Sequence, residues 1–290
     1  MDFSDFKRKS KSNLDELSKK IQESSGSKDS YKDDRFWRPE LDKSSNGYAV
    51  IRFLPAPPNE ELPWAKLYSH AFQGKGGWFI ENSRTTLGEK DPVSEMNSEL
   101  WNSGQDTDKD IARARKRKLQ YISNILVISD PANPQNEGKV FLYKFGKRIF
   151  DKIQEAMEPE FADEEKINPF DFWSGANFKL KVRKVAGFIN YDKSEFDSLS
   201  ELFSGDDSKL EELWKKQYPL KPFTDSSNFK SYDELKERLS MVIGDDIRFT
   251  DVSTNTVESV QMDQEETPAS TPDVSAETDA MDYFSKLSQE

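Results

Sequence analysis

YISNILVISDPANPQNEGKVFLYKFGKRIFDKI, residues 121–153, reads as strand, turn, strand and helix in direct succession. Residues 121–128 are rich in β-branched and aromatic side chains and stop at Asp130-Pro131, a pair that favours turns. Residues 140–145 lie between Gly138 and Gly146, and because alternate strand residues share a side, Phe141, Tyr143 and Phe145 fall on one face. The period then changes from two to about 3.6, placing Ile149, Ile153 and Met157 on one stripe of a helix predicted over 146–157.

Further strand signals flank this unit. Residues 48–54 (YAVIRFL) end at the turn-forming PAPP, and residues 77–80 (GWFI) follow the glycine turn GKGG. Residues 178–185 (FKLKVRKV) put Phe178, Leu180 and Val182 on one side and Lys179, Lys181 and Arg183 on the other, a half-buried strand with a basic outer face. A helix is predicted over 231–243, opened by a capping box of Ser231 and Glu234. The order of elements predicts an α+β chain, a small β-barrel decorated by helices.

The core is expected to begin near Phe36. Before it, a basic arm with Leu14, Leu17 and Ile21 at helical spacing (residues 1–22) joins a Ser-rich linker. After Gly244 the chain becomes rich in Asp, Glu, Ser, Thr and Pro, with too little apolar surface to order itself, and predicts a disordered tail over 245–290. With 34 % hydrophobic and 12 % aromatic residues in 290, one substantial core plus appendages is the expectation.

Charge is unevenly shared along the chain. Twelve acidic and two basic residues from 245 to 290 carry ten of the twelve net negative charges, leaving residues 1–244 at −2. Local clustering therefore decides what the body binds. The densest cluster is Arg113, Arg115, Lys116, Arg117 and Lys118, a row suited to a phosphate backbone because each neutralised phosphate releases condensed counterions. A solvated charged helix explains the run equally well on its own. Tyr121, Tyr143, Phe188 and Tyr191, on or beside strands neighbouring basic residues, tip the reading toward a groove in which bases stack, although any single aromatic is more often core. Lys7, Arg8, Lys9 and Ser10 form a second basic cluster, compatible with nucleic acid, with a protein partner or with a solubilising end.

Catalytic signatures are scarce. The absence of cysteine excludes disulfides, thiol nucleophiles and thiolate-bound zinc. A lone histidine, His70, excludes paired-histidine metal motifs, and the GKGG turn is too short for a phosphate-binding loop. The reading is therefore of a non-enzyme. No apolar run approaches the ~18 residues of a membrane span and no signal peptide opens the chain, so a cytosolic protein is expected.

The chain resembles the single-stranded-DNA-binding, helix-destabilising replication proteins of T-even-type bacteriophages. The resemblance rests on FKRKS (6–10), NGYAVIRFLP (46–55), GGWFIE (76–81), KRK (116–118), the run from Asn124 to Ile153, WSGANFKLKV (173–182), GFINYDKSEF (187–196) and FKSYDELKERLSMVIG (229–244), all in the same order. It implies a five-stranded OB-fold core over 23–244 that binds single strands, without a catalytic role, in replication, recombination and repair in the cytoplasm of an infected bacterium. It implies DNA contacts at Arg52, Trp101, Arg113, Arg115, Lys116, Arg117, Lys118, Tyr121, Tyr143, Lys144, Phe188 and Tyr191. It implies cooperative self-association through Lys7, Arg8, Lys9 and Ser10. Replication partners are expected on the acidic tail through its apolar end, Met281, Tyr283, Phe284 and Leu287.

Two positions depart from the family pattern. Ile122 stands where tryptophan is frequent, which predicts the loss of one stacking platform. The family's zinc ligands, one histidine and three cysteines, correspond to His70, Ser83, Asp91 and Ser94; neutral hydroxyls are poor zinc ligands, so no metal or other cofactor is expected. The subdomain over 60–101 would then be held by packing, with Trp64, Phe72, Trp78 and Phe79 as candidates, or else be more mobile. The competing reading is an RNA-binding regulator or an adaptor acting through its acidic tail, with a hydrolase a distant third.

Overall fold

The computed structural model describes residues 33–244 apart from Ala162. The expected arm over 1–22 and tail over 245–290 lie outside the described residues, and with them Lys7, Arg8, Lys9, Ser10, Met281, Tyr283, Phe284 and Leu287.

The described residues form an α+β fold around one branched, nine-stranded sheet. Its strands are β1 (Phe36–Trp37), β2 (Gly47–Phe53), β3 (Ala65–Gly74), β4 (Gly77–Asn82), β5 (Lys118–Ser129), β6 (Val140–Gly146), β7 (Ala176–Val185), β8 (Phe188–Asn190) and β9 (Glu195–Leu199). Five helices accompany them: α1 (Pro92–Asn102), α2 (Asp106–Ala114), α3 (Lys147–Met157), α4 (Asp207–Lys215) and α5 (Tyr232–Ile243). The strands anticipated at 48–54, 77–80, 121–128, 140–145 and 178–185 are all present, as are the two expected helices. The helix stripe is narrower than expected, since Ile149 and Ile153 are buried while Met157 is exposed.

The spine is β5. One of its edges pairs with β6 over Gln120–Leu126; the other pairs first with β3, at Lys118–Ile122, and then with β2, from Ile125 to Ser129. Twelve residues thus serve three antiparallel neighbours. Residues 121–127 are buried without alternation, because elements cover both faces of the strand. On one face Tyr121, Ile125 and Val127 join the main core with Ile51, Phe53, Phe145, Ile149, Phe178 and Leu180, under α3. On the other, Ile122 meets Ala65, Leu67, Leu142, Leu220 and Phe229.

β7 alternates as its sequence predicts, burying Phe178, Leu180 and Val182. The outer face is not a free basic surface. Lys179 pairs with Asp197 at 2.9 Å, Lys181 with Glu195 at 2.7 Å, and Arg183 with Asp192. Acids on β9 and in the turn before it neutralise the row.

A second core lies between the β3–β4 hairpin, α1 and α5, where Phe72 stacks on Phe79 among Val93, Met96, Leu235, Leu239, Val242 and Ile243. Trp64, expected here, packs instead on Phe150 and Phe170 of the main core, at 5.3 and 5.4 Å between ring centres. The GKGG turn explains its glycines: the Gly76 amide donates to the Val242 carbonyl at 2.8 Å, and a Cβ at Gly74 or Gly76 would lie 2.3 or 2.0 Å from a carbonyl at the end of α5. That helix starts as anticipated, with the Ser231 amide donating to Glu234 Oε2 at 2.7 Å and the Glu234 amide to Ser231 Oγ at 3.3 Å.

Candidate nucleic-acid interface

The basic run spans the end of α2 and the start of β5, so its five charges point in different directions. Arg113 is exposed, pairs with Asp110 at 2.5 Å, and lies 5.3 Å over the Trp101 ring at the end of α1. Arg115 is half-buried, 5.6 Å over Phe72 and 3.8 Å from the Met96 sulfur. Lys116 and Arg117 are exposed, and Lys118 opens β5 opposite Ser69.

Directly paired strand residues share a face. Lys66 opposes Tyr121 and Tyr68 opposes Leu119, so both residues of β3 stand on the Tyr121 side of the sheet. There Arg117 sits 4.3 Å over the half-buried Tyr68 ring and the Lys66 ammonium 5.4 Å from it. Sequence reasoning missed this pair. The signal was the Lys66-x-Tyr68 alternation in a segment read only as part of a metal-site region. An aromatic ring flanked by two cations can stack a base while the cations meet adjacent phosphates.

Tyr121 supports this face from beneath rather than forming it. Only 5 % exposed, its ring lies flat on Phe150 of α3, 3.8 Å away with planes 3° apart, and also on Phe145. Burial raises its phenol pKa, with Tyr68 and Asp151 adding to the shift, so it stays neutral. Tyr143 is likewise enclosed, against Trp37 and Phe145, with burial pushing its phenol well up. Neither ring is the exposed platform that was expected.

α3 also reaches the β7–β8 hairpin: Arg148 donates to the Ile189 carbonyl at 3.5 Å and Lys152 to the Asp192 carbonyl at 3.3 Å. The hairpin turns on Ala186 and Gly187, both with positive φ, as a two-residue turn requires. It presents Phe188, 37 % exposed, while Tyr191 stays half-buried against the main core. One helix thus packs on Tyr121 of β5 and bonds to Ile189, the residue after Phe188.

Arg52 is a correction of another kind. It has no exposed surface; its guanidinium donates to the carbonyls of Asp171 at 2.9 Å and Ser200 at 2.8 Å. Burial lowers its pKa to about 10, against the opposing pull of Asp171. It ties β2 to two loops and reaches no phosphate. Lys144 pairs across from Ile122, on the side of the sheet away from Tyr121, and lies 5.8 Å over Phe36. Ile122 itself is 1 % exposed on that same side. Whatever side chain stands there points away from the Tyr121 side.

The four positions at the family's zinc site form a hydrogen-bonded cluster. Asp91 caps α1, its Oδ1 accepting from the amides of Val93 and Ser94 at 3.1 and 3.0 Å, and its Oδ2 accepts from Ser83 Oγ at 3.0 Å and the Arg84 amide at 3.1 Å. His70 Nε2 lies 3.2 Å from Oδ1, and both side chains are 1 % exposed. Burial disfavours the Asp91 charge, but the bonds from His70, Ser94 and Ser83 outweigh it and lower the carboxyl to about 2. One imidazole, one already engaged carboxylate and two neutral hydroxyls do not fit a structural zinc. Among the described residues no three His, Cys, Asp or Glu gather as a metal site.

A second basic and aromatic groove, lined by Lys139, Phe141, Phe203, Lys209, Lys216 and Tyr218, lies beside the far half of β5. Lys118 and Leu126 are eight residues apart, about 26 Å along the strand. Lys209 and Lys216 there pair with Asp206 and Glu212, at 3.3 and 2.6 Å, which leaves less charge for a polyanion.

Residues 45–243 match the family model described as gp32 DNA binding protein like. The chain is 42 % identical over 249 residues to the single-stranded DNA-binding protein of Enterobacteria phage T2, covering 82 % of this chain and 80 % of that protein. It is 41 % identical over 248 residues to the protein of the same name in Enterobacteria phage T4, covering 82 % and 79 %. A 120-residue stretch, 40 % of this chain, is 39 % identical to 98 % of the corresponding protein of Enterobacteria phage RB70.

Proposed function

The chain belongs to the gp32-like DNA-binding family, and from that premise we propose that it binds single-stranded DNA in phage replication, with the strand tracking past Tyr68, Arg117 and Lys116 toward Phe188. The observation that carries this path is the Tyr68 ring with Arg117 4.3 Å and Lys66 5.4 Å from its centre, on the Tyr121 side of the sheet, the side on which α3 packs. Bases stack on the ring and phosphates meet the cations, so recognition depends little on sequence. Paired bases have no free face to stack, and preference for the open strand melts duplex by mass action without ATP. The reading is of a non-enzyme, acting in the host cytoplasm, with roles extending to recombination and repair.

The finer architecture is read the same way. The OB type is assigned to the strands around the main core, β2, β5, β6 and β7, because these four share one interior. The arm over 1–22 provides cooperative contact with the next molecule, and the tail over 245–290 shields the groove and recruits replication proteins. The hydrogen-bonded cluster around Asp91 does the fastening without a metal.

Titration of intrinsic fluorescence with oligonucleotides tests the binding. Quenching that weakens with salt at a log-log slope of roughly −0.7 per neutralised phosphate supports it, and binding indifferent to salt refutes the phosphate path. Removing residues 1–12 abolishes cooperativity while sparing single-site affinity; equal loss of both refutes the arm's role. Removing residues 245–290 raises duplex melting, and unchanged melting counts against shielding.

A further inference from the structure

The basic segment is gripped by its backbone. His70 Nδ1, on β3, lies 3.2 Å from the Arg115 carbonyl oxygen, and Asn97 Nδ2, on α1, donates to the same oxygen at 3.1 Å. A carbonyl and a carboxylate both only accept, so the two contacts together call for a hydrogen on each ring nitrogen. The ring is fixed from its other side by Asp91, which the α1 amides, Ser83 and Arg84 hold in turn. A continuous set of contacts therefore runs from the β3–β4 hairpin through the start of α1 to Arg115.

Arg115 is where that anchoring matters. α2 ends one residue earlier and β5 starts at Lys118, so Lys116 and Arg117 are the only residues between the Arg115 cap and the strand. With the Arg115 carbonyl held by two donors and its side chain folded over Phe72, the segment is pinned inward at its first residue and into β5 at its last. The two intervening side chains are left exposed, with Arg117 over Tyr68.

We propose that His70 and Asn97 are positioning residues for DNA binding, preorganising Lys116 and Arg117 through the Arg115 carbonyl. Neither touches the strand. Without the anchor the segment must be ordered at the moment of binding, and affinity falls although no phosphate contact has been removed. The inference rests on the reading that Arg117 and Tyr68 face DNA.

A double-mutant cycle on the full chain separates the two ideas, using Asn97→Ala, Arg117→Ala and the pair, with an oligothymidine as probe. Loss of a hydrogen bond at Arg115 weakens binding about threefold to tenfold. In the Asn97→Ala background the cost of Arg117→Ala shrinks, because the guanidinium is no longer held in place. Asn97→Gln, which keeps an amide donor, recovers part of the affinity. His70→Ala repeats the pattern if it folds; Asn97, only half-buried, carries the test if it does not. A costly Arg117→Ala with an additive or absent effect of Asn97→Ala overturns the positioning role alone. An Arg117→Ala protein that binds like the parent removes the DNA-facing reading, and the positioning role falls with it.

Discussion

The Arg117 guanidinium lies 4.3 Å over the ring of Tyr68, joining the end of the basic run to a strand that precedes it by some fifty residues. The contact makes the two residues one site. A base stacked on the exposed part of the ring gains from the ring, and a phosphate beside it gains from the cation.

Replacing Tyr68 by Ala should weaken oligonucleotide binding about 5-fold to 100-fold, corresponding to roughly 1–3 kcal/mol of lost stacking at about 1.4 kcal/mol per tenfold. Tyr68→Phe should stay near the parent, since the ring is what stacks. Equal losses in both variants, measured by fluorescence titration, would show that the hydroxyl and not the ring is at work.

Arg52→Met should destabilise the fold and leave the salt dependence of DNA binding unchanged. The substitution strands the carbonyls of Asp171 and Ser200, and each buried acceptor left unmade costs roughly 1–3 kcal/mol. Denaturant unfolding reads the first effect and the log-log salt slope the second. A slope shallower by one phosphate would return Arg52 to the interface.

Asp91 predicts a window of acid sensitivity. Its carboxyl is lowered from 3.8 to about 2 in the fold, so the unfolded chain binds the proton first on acidification. The stabilisation is fully present above the unfolded value and is lost as pH falls from about 4 toward 2, an effect of about 2 kcal/mol. Asp91→Asn keeps a capping side chain but should be less stable at neutral pH and flatter through that window. Parallel stability curves for the two proteins, measured by urea unfolding across pH 2–6, would exclude the assignment.

Chelation should change neither the melting temperature nor the affinity for single strands. The prediction follows from a ligand set of one imidazole, one carboxylate already used as a helix cap and two hydroxyls. Stoichiometric zinc in purified protein, or a melting temperature that drops with chelator, would show that a metal binds after all.

The sequence by itself determined the local structure and the family. The change of period within residues 121–153, the alternation of Phe178, Leu180 and Val182, and the Ser231–Glu234 capping box are short-range signals, each set by neighbours along the chain. Tertiary structure alone decided which faces stay open. Alternation sorts residues into two faces but says nothing of what covers each, and β5 is covered on both: α3 lays Phe150 on Tyr121, while Leu220 and Phe229 close over Ile122. Arg52 looked like a phosphate ligand until two distant loops brought carbonyls to it, and the basic face of β7 was neutralised by acids arriving on β9. Tyr68 became a site residue only when β3 paired with β5 and set it beneath Arg117. Contacts between residues far apart in the chain leave no trace in local composition, which is why the elements and the basic run were legible and the faces left open were not.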